Sequence, residues 1–342
     1  MKNLLTFGLA LLFALGGLDF YLQLAEIQTP IETRIDPQMG PTYIPLKRIS
    51  RFNEGFFIGS ANAYGYMGPA VPRQRQKAER RILLLGDSFV LGHTVLPRLY
   101  FGRFLESRLK EMTGMDVRAL NFGRADFNFW NMYQYYRDFA STFDHDLALF
   151  FVEERDLCPT PQTNSSLYPA VQLQGNLLVC DRSFNKSQTF RFYKAVEPLI
   201  TNSAILRLVF NAYKIYGGAA LTDIAQDLLA PRRSHPKKAE WASLSESTKE
   251  LPAISRAILA DLSRDKRNIL VIRRDFSPAL LNEVHISGIP IIDLASYLDS
   301  LQAIGMDPYY WEATGVYGHW NPDAHRLIGS FLAGALLSQG LF

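Results

Sequence analysis

Two unbroken apolar runs, Arg81-Ile-Leu-Leu-Leu85 and Leu147-Ala-Leu-Phe-Phe-Val152, set the reading of this chain. A short continuous apolar run bounded by turn residues predicts a strand covered on both faces, as in a parallel sheet. Val117–Asn121, Asn268–Arg273 and Ile289–Leu294 predict three more strands. Between them the period changes to that of a helix. Phe101, Phe104, Leu105 and Leu109 fall on one stripe of a helix over Tyr100–Met112, and Trp130, Tyr133, Tyr136 and Phe139 on the inward stripe of one over Asn128–Thr142. Further helices are expected at Leu244–Arg264 and Ala324–Gln339. Strands alternating with helices of these lengths predict an α/β fold, a three-layer α/β/α sandwich on a mostly parallel sheet.

Outside this rhythm lie three segments. Residues 4–18 are an uninterrupted apolar run behind Lys2, and the apolar character resumes after Asp19. Its continuation fits a signal-anchor over residues 1–25, since a span needs about 20 apolar residues. A cleaved signal peptide, cut near Ala14-Leu15-Gly16, is the alternative. Either places the rest of the chain outside the cytoplasm. Residues 26–80 are punctuated by Pro and Gly and end in a basic tract of Arg73, Arg75, Lys77, Arg80 and Arg81. Their aromatics, Tyr43, Phe52, Phe56, Phe57, Tyr64 and Tyr66, predict a segment that wraps the main domain, residues 81–342. Within that domain, residues 157–243 break the α/β alternation and read as an insertion. A hairpin is expected at Ala170–Val179, helices at Ser187–Tyr216 and Leu221–Leu229, and a solvated basic loop at Arg232–Lys238.

Composition narrows the partners. With 342 residues, 48% hydrophobic, the chain can bury a sizeable core. A net charge of +3 is too mild to point to nucleic acid. Cys158 and Cys180 are the only cysteines. In an oxidising compartment a disulfide between them would stabilise by about 3 kcal/mol, with two thiols as the alternative. Two cysteines without clustered histidines cannot complete a zinc site, and nothing in the sequence asks for a cofactor.

The candidate chemistry sits at two places. Gly86-Asp87-Ser88 closes the first buried strand, which presents a serine hydroxyl at the carboxyl edge of a parallel sheet. Gly318-His319-Trp320-Asn321-Pro322 precedes the last helix, where a histidine on a late loop can reach that hydroxyl. Serine and histidine so placed form a nucleophile and its base.

These residues resemble the SGNH (GDSL-type) hydrolase superfamily, and more narrowly its membrane-anchored members associated with bacterial cell-envelope polysaccharides. The likeness is carried by Asn62-Ala-Tyr-Gly65-Tyr66, Gly86-Asp87-Ser88-Phe89, and His319-Trp320-Asn321-Pro322 with His325. It spans roughly residues 60–158 and 266–340. The resemblance implies a serine esterase or O-acyltransferase acting on acylated glycans, with Ser88 attacking an ester carbonyl and His319 taking its proton. It also implies a bacterial, single-pass protein with its main domain in the periplasm or otherwise extracytoplasmic.

Three family positions depart from the pattern. The oxyanion donors would be the Ser88 backbone N–H, a glycine N–H and an asparagine side chain. This chain has Asp126 at the glycine position and Arg155 at the asparagine position. The acid that usually precedes the histidine by two or three residues is replaced by Val316 and Tyr317, leaving Glu312 or Asp307 as candidates to orient the ring. Because each departure touches catalysis rather than folding, a second reading stands beside the enzyme: a catalytically silent subunit that binds polysaccharide or a membrane protein complex.

Overall fold

Leu147–Val152 is buried at every position, which requires neighbours on both edges and cover on both faces. A computed structural model describes residues 2–25, 31–75, 78–159, 167–216, 250–274 and 276–342 and supplies all four. The central sheet has five parallel strands: β1 (Glu79–Leu85), β2 (Asp116–Asn121), β3 (Leu147–Val152), β4 (Asn268–Ile272) and β5 (Ile291–Asp293), in the order β5-β4-β3-β1-β2. The register pairs Leu83 with Ala148 and Leu120, and Leu270 with Phe150 and Ile291.

Side chains alternate between the faces, so each strand feeds two cores. Leu83, Leu85 and Phe150 face a layer built on helices Phe129–Asp138, Ala253–Leu262 and Pro278–Ile286. Ile82, Leu84, Leu149 and Phe151 face helices Phe101–Thr113, Leu294–Ala303 and Pro322–Ser338. The fold is therefore the expected three-layer α/β/α sandwich. Strand order reverses at β1, with β2 on one side and β3 on the other. Ligands of open parallel sheets bind at the carboxyl ends of the strands beside such a reversal.

Several boundaries moved, for local reasons. The last strand stops at Asp293, whose carboxylate accepts from the Ser296 N–H and opens the helix Leu294–Ala303, which the sequence pattern missed. Helix Pro278–Ile286 was missed as well. Ser187–Tyr216 is two helices, Gln188–Asn202 and Ala204–Tyr216, because Ser203 adopts an extended conformation between them. The hairpin is Ala170–Gln174 with Leu177–Asp181, turning at Gly175 with φ 61°. Of the expected helix Leu244–Arg264, Ala253–Leu262 is helical. Leu221–Leu229 and the basic loop Arg232–Lys238 lie outside the described residues.

Residues 31–60 are more ordered than a punctuated linker. They form two antiparallel pairs, Thr33–Asp36 with Gly40–Tyr43 and Arg48–Arg51 with Phe57–Ser60. Arg124 clamps them to the main domain: its guanidinium donates to the Pro41 carbonyl and lies over the Tyr43 and Tyr135 rings at 5.0 and 5.4 Å. The second pair presents the turn that matters below.

The disulfide is a correction: Cys158 and Cys180 are not bridged. Cys158 ends the short helix Glu154–Leu157 and packs against the core on that face. Cys180 stands opposite Val171 on the hairpin. Each is half-buried. At the N-terminus, Lys2–Leu24 is one helix, and its Leu5–Leu24 stretch is long and apolar enough to cross a membrane or to serve as a signal sequence.

Candidate active site

The site is built at the carboxyl end of β1. Gly86 allows the strand to turn there, since a Cβ would overlap Val90 of the next helix. Asp87 caps that helix, Ser88–Leu91, by accepting from the Phe89 N–H at 3.0 Å. Gly123, leaving β2, packs so closely on Val90 and Leu91 that a side chain there would strike their backbone. The turn holding Ser88 is thus wedged from both sides by glycines.

His319 comes from the loop before the last helix. Asn321 caps that helix through the Ala324 N–H at 2.9 Å and donates to the Asp307 and Tyr310 carbonyls, which fixes the loop's path. Trp311 Nε1–H donates to the His319 carbonyl at 2.8 Å. Held this way, His319 Nε2 lies 2.8 Å from Ser88 Oγ.

The other ring nitrogen finds an acid that sequence reasoning overlooked. Glu54, in the turn between strands Arg48–Arg51 and Phe57–Ser60, places both carboxylate oxygens 2.9 Å from His319 Nδ1. It also accepts the His319 backbone N–H at 2.6 Å. Burial pushes the Glu54 carboxyl up, but the His319 bonds and the charge of that ring outweigh it, so the carboxyl sits below its ordinary value. An ionised Glu54 fixes the proton on Nδ1 and leaves Nε2 to accept the Ser88 hydroxyl.

Neither of the expected orienting acids does this. Asp307 accepts from the Tyr309 N–H and from Gln302, bracing the loop. Glu312 lines a cavity together with Gly55, Trp311 and Asn321. The reason is steric: the histidine loop presents Nδ1 toward the wrapping segment, and Gly318 makes room there, since a Cβ would collide with the Glu54 carboxylate. The only hint in the chain was that Glu54 is the sole acid between Asp36 and Glu79, followed at once by a glycine.

The two substituted oxyanion positions also resolve. Arg155 is 62% exposed and its guanidinium pairs with the buried Glu153. Asp126 adopts a left-handed φ of 62° with its side chain exposed, which directs the carboxylate toward solvent. Ser88 keeps its backbone N–H at the first turn of its helix.

Beneath the serine turn lies a buried charge cluster that the sequence pattern did not suggest. Arg273, at the end of β4 and 1% exposed, lies 2.6 Å from Asp87, 3.0 Å from Glu153 and 3.7 Å from Asp156. Its guanidinium stacks 4.4 Å from the Phe89 ring, whose centre is 4.7 Å from the His319 ring. Burial, helped by the Asp87 and Glu153 charges and opposed by Arg273, raises Asp156 to about 7. His93 flanks the site, its ring 5.9 Å from His319, and burial together with the His319 charge lowers it to about 4. His325, part of the quoted motif, is structural: its Nδ1 accepts the Phe101 N–H at 3.2 Å inside the core.

Serine at the end of the first sheet strand, bonded to a histidine just before the last helix, is the arrangement that the sequence motifs foretold. Among solved structures the chain is similar to a lipase/acylhydrolase from Enterococcus faecalis, at 12% identity and a TM-score of 0.39, covering 76% of this chain and 96% of that one. It is also similar to a member of the G-D-S-L lipolytic family from Veillonella parvula, at 12% identity and a TM-score of 0.32, covering 76% and 99%. A third is LAE5, an alpha/beta hydrolase from a Lake Arreo metagenome, at 12% identity and a TM-score of 0.37, covering 76% and 95%. No family model matches the chain, and no curated protein does. Likeness this distant carries no argument, and the chemistry must come from the side chains.

Proposed function

We propose that this protein is a membrane-tethered serine esterase or O-acyltransferase acting on acylated glycans outside the cytoplasm. One observation carries the reading: Ser88, His319 and Glu54 form a continuous chain of hydrogen bonds with the polarity of a catalytic triad. In the forward step the Ser88 oxygen bonds to the ester carbonyl carbon as its proton passes to His319 Nε2. The tetrahedral intermediate collapses, and His319 returns the proton to the departing alcohol. Water, or a sugar hydroxyl, then repeats the cycle on the acyl-enzyme. Glu54 supports it by holding the ring's orientation and stabilising the imidazolium.

A cavity of about 670 Å³, bordered by Gly55 and Trp311 though by none of the three triad residues, is in keeping with a substrate larger than a simple ester. Phe56, Tyr310 and Trp311 line it together with Asp307, Glu312 and Asn321, a mixture of aromatic and hydrogen-bonding groups that suits a sugar. It adjoins the catalytic chain through Gly55, next to Glu54, and Trp311, bonded to His319.

The test is direct. The purified chain is offered p-nitrophenyl acetate and an acetylated oligosaccharide, with Ser88→Ala as control. Acetate release or transfer that disappears in the variant is the expected result. Equal turnover by both proteins, together with no labelling of Ser88 by a fluorophosphonate, would leave only the silent-subunit reading.

A further inference from the structure

Asp19 interrupts the apolar N-terminal helix, and its partners explain why. Its carboxylate accepts from the Ser203 hydroxyl at 2.7 Å and from the Ile205 N–H at 2.9 Å, capping the helix Ala204–Tyr216 of the insertion. Gln23, one turn further, donates to the Asn202 carbonyl. The insertion is therefore fastened to the end of the apolar helix at two points.

The fastened helix has an inverted pattern. Over one turn, Leu206, Leu208 and Val209 are 43%, 41% and 60% exposed, whereas Arg207 is buried. A helix in water shows the opposite arrangement. Phe192 and Leu199 of the preceding helix, Gln188–Asn202, are exposed as well. Charge in the same stretch, residues 183–210, is one-sided: of its four basic residues Arg207 is buried and Lys194 pairs with the single acid Glu197 at 2.9 Å, while Lys186 and Arg191 are exposed. Exposed apolar residues on short helices with a basic bias are the mark of an element that lies in a bilayer interface.

We infer that the helical pair Gln188–Asn202 and Ala204–Tyr216 rests in the head-group region of an anionic bilayer, beside the outer end of the N-terminal span. The inference rests on the membrane-tethered reading above. Its occupant follows from continuity: a surface bolted at Asp19 and Gln23 to a bilayer-spanning helix starts at the level where that helix leaves the lipid. Two attachments, span and helical pair, would fix the orientation of the catalytic domain on the membrane, where a lone span leaves it free to swivel.

The experiment uses the full chain with Cys158→Ser and Cys180→Ser, reconstituted in vesicles of phosphatidylethanolamine and phosphatidylglycerol. Single reporters are introduced as Phe13→Cys, Leu206→Cys, Val209→Cys and, on the opposite layer of the sandwich, Ile304→Cys, each carrying an environment-sensitive fluorophore. Brominated lipid should lower the fluorescence at positions 13, 206 and 209 by about two-fold or more, as burial of about 5–10 Å implies. Iodide in the water should quench position 304 alone. If position 13 is quenched by lipid while 206 and 209 respond only to iodide, the inference is wrong and the tether survives. If 206 and 209 respond to neither quencher, protein covers them, and the inference is again wrong. Loss of lipid quenching at position 13 as well removes the tethered reading itself.

Discussion

Glu54 and His319 stand 265 positions apart in the chain and meet through three contacts, one to the backbone N–H and two to Nδ1. A carboxylate held by both the backbone and the ring of its partner cannot drift without moving the histidine. The wrapping segment is therefore part of the candidate catalytic apparatus.

Replacing Glu54 by Gln should lower kcat for p-nitrophenyl acetate by about four orders of magnitude with little change in KM, as loss of the acid does in serine triads. Glu312→Gln should stay near the native rate. Comparable losses in the two variants would mean that Glu54 is not the orienting acid.

Gly318→Ala tests the same contact without touching a charged group. The added methyl must displace the Glu54 carboxylate. Activity should fall by about a hundredfold or more, as misplacement of a catalytic group by about 1 Å does, while the unfolding temperature changes little. A fully active variant would show that the carboxylate tolerates displacement.

Arg273→Met should be costly to the fold. It removes the buried counter-charge that Asp87 and Asp156 share, while Glu153 keeps Arg155 and Arg274, a loss of about 3–5 kcal/mol in comparable buried ion pairs. Urea unfolding measures it directly. A near-neutral result would argue that water reaches the cluster.

Two buried groups should give opposite pH signatures. His325 is lowered to about 3 by burial and by the charge of His319. The folded state then binds fewer protons than the unfolded chain, so its contribution is complete above about 6.5 and drains as pH falls toward 3. Asp156 is raised to about 7, so its contribution is complete below about 3.8 and is lost as pH rises through 7. Unfolding temperatures from pH 4 to 8 should show His325→Gln flattening the acid side, and Asp156→Asn gaining on the native protein as pH rises. Parallel curves for all three proteins would exclude both assignments.

Thiol titration checks the cysteines. Unfolded without reductant, the chain should release two reactive thiols, and Cys180→Ser should leave the unfolding temperature nearly unchanged. Zero thiols would restore the bridge between Cys158 and Cys180.

The layers of this protein are written locally. The runs at 81–85 and 147–152 are apolar throughout because a central parallel strand is buried on both faces, and the aromatic stripe at 129–139 is periodic because one side of a helix must fill a core. Those constraints act between near neighbours, so a single sequence displays them. Ser88 was legible for the same reason, as turn chemistry at a strand end, and His319 as a residue beside a helix cap.

Other features were decided only by how distant segments pack. Glu54 lies in a segment whose composition reads as linker, and nothing near it marks a partner 265 positions away. Arg155 occupies an asparagine's place in the motif, yet its side chain is 62% exposed, where its charge stays solvated. Arg273 joins Asp87, Glu153 and Asp156 only because β1, β3 and β4 lie side by side in the sheet. Side-chain periodicity records which face of an element is buried. It carries no record of which far residue waits on that face, because that choice is made by steric fit and charge after the chain has closed on itself.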